Sequence, residues 1–212
     1  MSNSRQHMLE EIRRALGRAP GDPIAPPPPP RLRTSETTTE ERIAQMTAAL
    51  ERLAAKPFRA HSLEDARQYV RSVLHTRRAA ALYHPFLETC GILALDGVEQ
   101  APADPVARRQ LFASVEIGIT CPDYALADTG TLVALAGAHE SRLASLLPPV
   151  HLAILQTERI LSGLDELLVV LPHPADITSA LVLITGPSRT ADIEQILVRG
   201  VHGPGEVHVI MV

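Results

Sequence analysis

The sequence is short of several residue types on which common chemistries depend. It has no tryptophan and only 3% aromatic residues against 45% hydrophobic ones, so a core must be built from Leu, Val, Ile and Ala. Its basic residues are nearly all arginine. Lys56 is the single lysine and Pro57 follows it, which all but excludes Schiff-base chemistry and a P-loop lysine. Cys90 and Cys121 stand alone, without metal-ligand or disulfide spacing, so the chain cannot hold a four-cysteine iron–sulfur cluster of its own. The nine histidines are scattered, and no protein-built metal site is expected. No apolar run approaches the ~20 residues of a membrane span. The N-terminus is polar and charged, unlike a signal peptide, and a cytoplasmic protein is expected. A net charge of −4 gives no electrostatic footprint for nucleic acid. The motifs G-x-G-x-x-G, G-x-x-x-x-G-K-[ST], G-x-S-x-G and H-E-x-x-H are all missing.

At 212 residues the chain has room for one good-sized domain and an appendage. Met8, Leu9, Ile12, Ala15 and Leu16 share one face of a short helix that Gly17 stops, which marks residues 1–18 as a helical arm. Residues 19–34 form a Pro-rich linker, with seven of the 18 prolines between Pro20 and Pro30. Such a run is a semi-rigid polyproline spacer of about 3.1 Å per residue. The arm either folds back on its own domain or docks on a partner subunit.

Residues 35–212 alternate helices with short apolar strands, which predicts an α/β domain with an open, mostly parallel sheet flanked by helices. Helices are expected over 37–55, from Ser62 as N-cap through Leu74, over 142–147 and over 161–171. Strands are expected at 79–83, 91–95, 115–120, 132–135, 151–155, 180–184 and 207–212.

Two polar, Gly-containing turns carry the chemical interest. In the first, Val115, Ile117 and Ile119 alternate with Glu116, Gly118 and Thr120, so Glu116 and Thr120 share a face with a gap at Gly118 between them. The Pro122-Asp123 break and Ala127-Asp128-Thr129-Gly130-Thr131 follow. Glu116 is a candidate general base or nucleophile, or else a solvated or Arg-paired side chain. Asp128 to Thr131 is either part of a site or only a tight turn. The second turn, Thr185-Gly186-Pro187-Ser188-Arg189-Thr190, follows the apolar run Ala180 to Ile184 and reads as a buried strand feeding a helix. Ile193, Ile196 and Leu197 then fall at helical spacing, with Asp192 and Glu194 in the first turn. Backbone N–H groups there, with Ser188, Arg189 and Thr190, are suited to a carboxylate or phosphate, or the hydroxyls merely cap the helix. His151 and His202, beside Pro149 and Gly203, are either proton-transfer groups or histidines bonded to backbone. Both turns are expected to meet at one sheet edge and share a pocket.

Three blocks in this order, Gly118 to Val133, Ser145 to Leu155 and Ile184 to Glu206, resemble the lactate utilization (LUD) domain family, over roughly Glu36 to Val212. The resemblance implies a fold similar to the ribose-phosphate isomerase, CoA-transferase and formyltetrahydrofolate cyclo-ligase group. It also implies a subunit that works beside iron–sulfur partner proteins in oxidising L-lactate to pyruvate and holds no cluster itself; on that reading the two turns form a pocket for a small anion or a nucleotide. The blocks place Thr120, Asp123, Asp128, Thr129, Gly130 and Thr131 in one loop region. They place Gly186, Ser188, Arg189, Thr190, Asp192 and Glu194 in another, with His202 and Gly203 following. A stand-alone CoA-transferase-like or cyclo-ligase-like enzyme using Glu116, and a non-catalytic assembly scaffold, are the alternatives.

Overall fold

A computed structural model describes residues 2–19, 36–137, 142–193 and 196–212. The chain divides into two compact units, residues 1–31 and 32–212. In the first, helix α1 (Ser2–Ala15) ends on Gly17 at φ +64°, where Arg18 N–H closes back on Arg13 O at 2.9 Å. Only a residue without a Cβ adopts that conformation at little cost. Its apolar face, Met8, Ile12 and Leu16, is exposed. The expected linker falls almost wholly outside the described residues.

The second unit opens with α2 (Thr39–Arg52). Thr38 Oγ1 accepts from Glu41 N–H while the Glu41 carboxylate accepts from Thr38 N–H at 2.8 Å, a reciprocal capping box. Replacing Thr38 with alanine removes the hydroxyl that accepts Glu41 N–H and leaves the backbone N–H that donates to Glu41, so urea unfolding should show a loss of about 1 kcal/mol. β1 (Lys56–Arg59), α3 (Leu63–Leu74, capped by Ser62), β2 (Ala79–Ala81), α4 (Pro85–Thr89), β3 (Val98–Gln100), α5 (Pro105–Ser114) and β4 (Ile117–Thr120) follow. Next come β5 (Tyr124–Leu126), β6 (Thr131–Leu135), α6 (Arg142–Leu146), β7 (Val150–Leu155), β8 (Ile160–Leu161), α7 (Leu164–Val170), β9 (Leu181–Ile184), β10 (Arg189–Ile193), β11 (Ile196–Arg199) and β12 (Glu206–Met211).

The described residues form a six-stranded sheet in the order β1-β12-β7-β4-β2-β3, parallel throughout. One face carries Ile117, Ile119, Leu152, Ile154 and Ile210, packed with Val70, Val73 and Leu74 of α3 and Leu87 of α4. The other carries Ala153, Leu155, Val207, Val209 and Met211, covered by Ile43, Met46 and Leu50 of α2 and by a second sheet. That second sheet runs β8-β5-β6-β9, with α7 packed against it through Leu167. The α/β fold with a mostly parallel sheet and an N-terminal helix therefore stands as the sequence suggests.

Four local expectations do not. Residues 91–95 form turns and not a strand: Ile92 N–H returns to Leu87 O at 3.0 Å, and Ile92 is buried beneath α3 and α4. The strand lies just beyond, at β3. The run 180–184 is a strand, but an edge strand of the second sheet with Leu183 47% exposed, so it is not buried on both faces. After Thr185-Gly186 comes no helix but an antiparallel hairpin of β10 and β11. The i, i+3 spacing of Ile193 and Ile196 reads as helical, yet a hairpin sets that pair opposite one another, and β-branched Thr190, Ile193, Ile196 and Val198 favour it. Gly118, finally, leaves no gap. A Cβ built on it would lie 1.9 Å from Ala144 O, because the α6 backbone fills that space.

Candidate functional site

The chain leaves β2 toward β3 at one edge of the large sheet, and leaves β4 toward β7 and β12 on the other side. Adjacent strands whose connections diverge open a crevice at their carboxyl ends, the usual ligand position in open α/β sheets. A cavity of about 200 Å³ lies there. Its polar wall comes from His84 after β2, Cys121 and Asp123 after β4, Gln156 after β7, and Tyr124 and Arg159; Leu135, Leu171 and Ile177 supply apolar surface.

Local structure fixes each polar group. His84 is extended, as a residue before proline prefers, and caps α4 by accepting Phe86 N–H on Nδ1 at 3.1 Å. The neutral ring therefore carries its proton on Nε2. Asp123 donates its N–H to Val133 O at 3.0 Å and accepts Leu135 N–H on Oδ2 at 2.7 Å, which clamps the β5–β6 hairpin. The Arg159 guanidinium lies 5.4 Å over the Tyr124 ring, with Nη1 3.5 Å from the phenol oxygen. Among the described residues Arg159 has no carboxylate partner. Cys90, in contrast, sits beneath α3, where burial pushes its thiol up to about 11 and keeps it protonated. Among the described residues no three His, Cys, Asp or Glu side chains gather as metal ligands.

Thr120 ends β4, and its Oγ1 lies 2.8 Å from His151 Nε2. His151 is fully buried on β7, Nδ1 has no partner, and desolvation pushes the ring's pKa down to about 4. It is thus a strand residue and no loop histidine.

The two polar turns do touch. β6 pairs with β9, and Thr131 Oγ1 lies 2.8 Å from Thr185 Oγ1. Thr131 in turn donates to Thr129 at 2.9 Å, and Thr129 to Asp128 Oδ1 at 3.1 Å, so one hydroxyl chain ends on a carboxylate. Gly130 at φ +67° lets the α2 backbone approach, with a notional Cβ 3.1 Å from Ala49 and Leu50. Gly186, at φ +77°, lies against the Leu53 side chain, with a notional Cβ 2.9 Å from Leu53 Cβ.

Beyond that contact the turns lead to opposite edges of the sheet. Ser188 is tied through N–H to Pro204 O at 2.8 Å, and with Thr185, Gly186, His202 and Gly203 it lines a second cavity of about 360 Å³. This one opens beside the residues that lead into β7 and β12, at their amino ends. Arg189 donates to Leu53 O at the end of α2, where a cation suits the helix dipole, so a backbone carbonyl holds the guanidinium expected to clamp an anion. Thr190 pairs with Val198 in the hairpin, Asp192 belongs to β10, and Glu194 lies outside the described residues. With no helix after Ser188, the N-terminal anion cradle expected there is absent. Glu116 sits exposed before β4, the far end from Thr120, and its Oε2 accepts Arg78 N–H at 2.9 Å.

Of the expected site residues, then, the crevice cavity holds Asp123, with Thr120 just behind at the end of β4. Reasoning from sequence missed His84, Cys121, Tyr124, Gln156 and Arg159. Each of the first two follows an apolar strand directly, and that position is the signal that could have found them once strand order was known.

The LUD domain profile matches residues 43–212. Over 93 residues the chain is 41% identical to lactate utilization protein C of Halalkalibacterium halodurans, covering 42% of this chain and 40% of that protein. Over 120 residues it is 38% identical to lactate utilization protein C of an Exiguobacterium species, covering 52% and 50%. The chain spans about half the length of the curated relatives it matches. A DUF162 family protein from Deinococcus radiodurans, known from a crystal structure, shares the fold with a TM-score of 0.62 at 18% identity, covering 83% of this chain and 99% of that one.

Proposed function

This chain belongs to the LUD domain family, and from that premise we propose that it serves lactate utilization by binding a small anion at the carboxyl edge of its parallel sheet. The crevice cavity with Arg159 at its wall is the observation that carries this reading. The names of its relatives support the process, and the position of the cavity supports this site for it. Oxidising L-lactate to pyruvate releases two electrons, and two cysteines on separate elements are too few to ligate a cluster. The electrons pass instead to iron–sulfur partner subunits, and this chain contributes binding and positioning. Its exposed α1 stripe of Met8, Ile12 and Leu16 favours a contact with such a partner through the arm.

The test joins growth to co-purification. Deleting the gene should abolish growth on L-lactate, and the tagged full chain should retain iron–sulfur proteins that a chain lacking residues 1–33 releases. Normal growth of the deletion strain, together with a pull-down free of iron–sulfur protein, would overturn the reading.

A further inference from the structure

We propose that the open edge of β9 and the groove of about 360 Å³ beside it dock one extended, acidic segment of another protein chain, held by backbone pairing. This surface is separate from the crevice at the carboxyl ends of β2, β4 and β7.

The lining locates the groove on the strand. Val182, Leu183 and Ile184 are consecutive in β9, and all three line it. Successive side chains of a strand point to opposite faces, so a cavity that touches consecutive residues runs along the strand's edge. β6 occupies one edge of β9, and among the described residues no strand occupies the other.

Register then says which backbone groups are free. Ala136 N–H donates to Ala180 O at 2.9 Å, so by alternation Ala134–Val182 and Leu132–Ile184 are the pairs bonded across to β6. Leu181 and Leu183 therefore turn their N–H and C=O groups outward, to the open side. An edge of this kind is a template for an added strand.

Shape favours a single strand over a second copy of this chain. Ser145 and Leu146 of α6 and the turn from His202 to Pro204 form the other walls of the groove. An occupant between these walls and β9 must be one strand thick. A second copy presents the same walls around its own β9, which keep two such edges apart.

Side-chain chemistry narrows the segment further. Leu146 and Leu183 are exposed at the groove, and exposed Leu147 and Val201 adjoin it in sequence, so alternate side chains of the segment meet apolar surface. Among the described residues the lining holds Arg189 and His202 but no Asp or Glu. Arg189 donates to Leu53 O and has no carboxylate partner there, which leaves its charge unneutralised. Carboxylates on the segment complement this rim, and a basic segment is repelled.

Fluorescence anisotropy of the full chain tests this with a labelled peptide, Asp-Val-Thr-Val-Thr-Glu. Only one row of its amides can face β9. Methylating either both Val or both Thr nitrogens should therefore weaken binding about tenfold in one case and little in the other. The peptide with Lys at both ends should bind about tenfold more weakly, a gap that narrows in high salt. Leu183→Pro deletes an outward donor and no bond to β6, and it should weaken the parent peptide about tenfold. The methylated peptides make the same test on unaltered protein, should that variant unfold. Absence of binding, equal loss or no loss from the two methylated rows, or equal binding of the Lys peptide would each overturn the proposal. A dimer in sedimentation of the free chain that Leu183→Pro dissociates would overturn it too, by giving the edge to a second copy.

Discussion

Replacing Gly118 with alanine should destabilise the protein by about 3 kcal/mol or more, among the larger effects of a single added methyl. The new Cβ would sit 1.9 Å from Ala144 O, 2.9 Å from Ala144 C and 3.0 Å from Pro148 Cγ. The first two are backbone atoms of α6, so no rotamer change can relieve them. Gly118 lies in β4, between Ala80 of β2 and His151 of β7, where the strand cannot yield without disturbing both neighbours. Urea unfolding of Gly118→Ala should show a much lower midpoint, and adding Ala144→Gly should not restore it. A parental midpoint would mean that α6 does not pack on β4.

Acidification should cost a comparable amount through His151. Its folded pKa of about 4 lies below the usual histidine value of about 6.5 expected of the unfolded chain. Between those values the unfolded chain binds a proton that the folded chain refuses. The contribution is therefore intact above about pH 6.5, falls as the pH drops, and is lost by about pH 4, about 3 kcal/mol in all. His208, held below the usual range by burial, adds to the loss with the same sign. Carboxylates such as Glu206, held low chiefly by Lys56, contribute at lower pH. In His151→Gln, which can keep a partner for Thr120, the slope of stability between pH 6.5 and 5 should flatten. An unchanged slope would contradict the burial of His151 as a neutral ring.

How far the fold could be read depended on what kind of interaction shaped each element. Helices α2 and α3 were legible because caps and apolar stripes are local: Thr38 and Ser62 each bond within their own first turn. β7 and β12 were legible because strands buried on both faces are mostly apolar, with His151 in β7 and Glu206 and His208 in β12 as the exceptions. The hairpin of β10 and β11 was not, since its apolar spacing serves a helix equally well and only cross-strand pairing decides. The contact of Thr131 with Thr185 was anticipated as a meeting of two turns. The sheet then separates the cavities on either side of that contact, and this depends on strand order, which no local pattern encodes. Arg159 escaped notice for a similar reason. A lone arginine in a short turn becomes informative only once Tyr124, 35 positions away, lies beneath it.

Two cavities at opposite edges of one sheet make the account easy to test. In amide-resolved NMR of the full chain, added L-lactate should shift residues around His84, Cys121 to Tyr124, Gln156 and Arg159, and leave Thr185 to Arg189 and His202 to Pro204 in place. Shifts confined to that second group, or none at saturating lactate, would contradict a ligand site at the carboxyl ends of β2, β4 and β7.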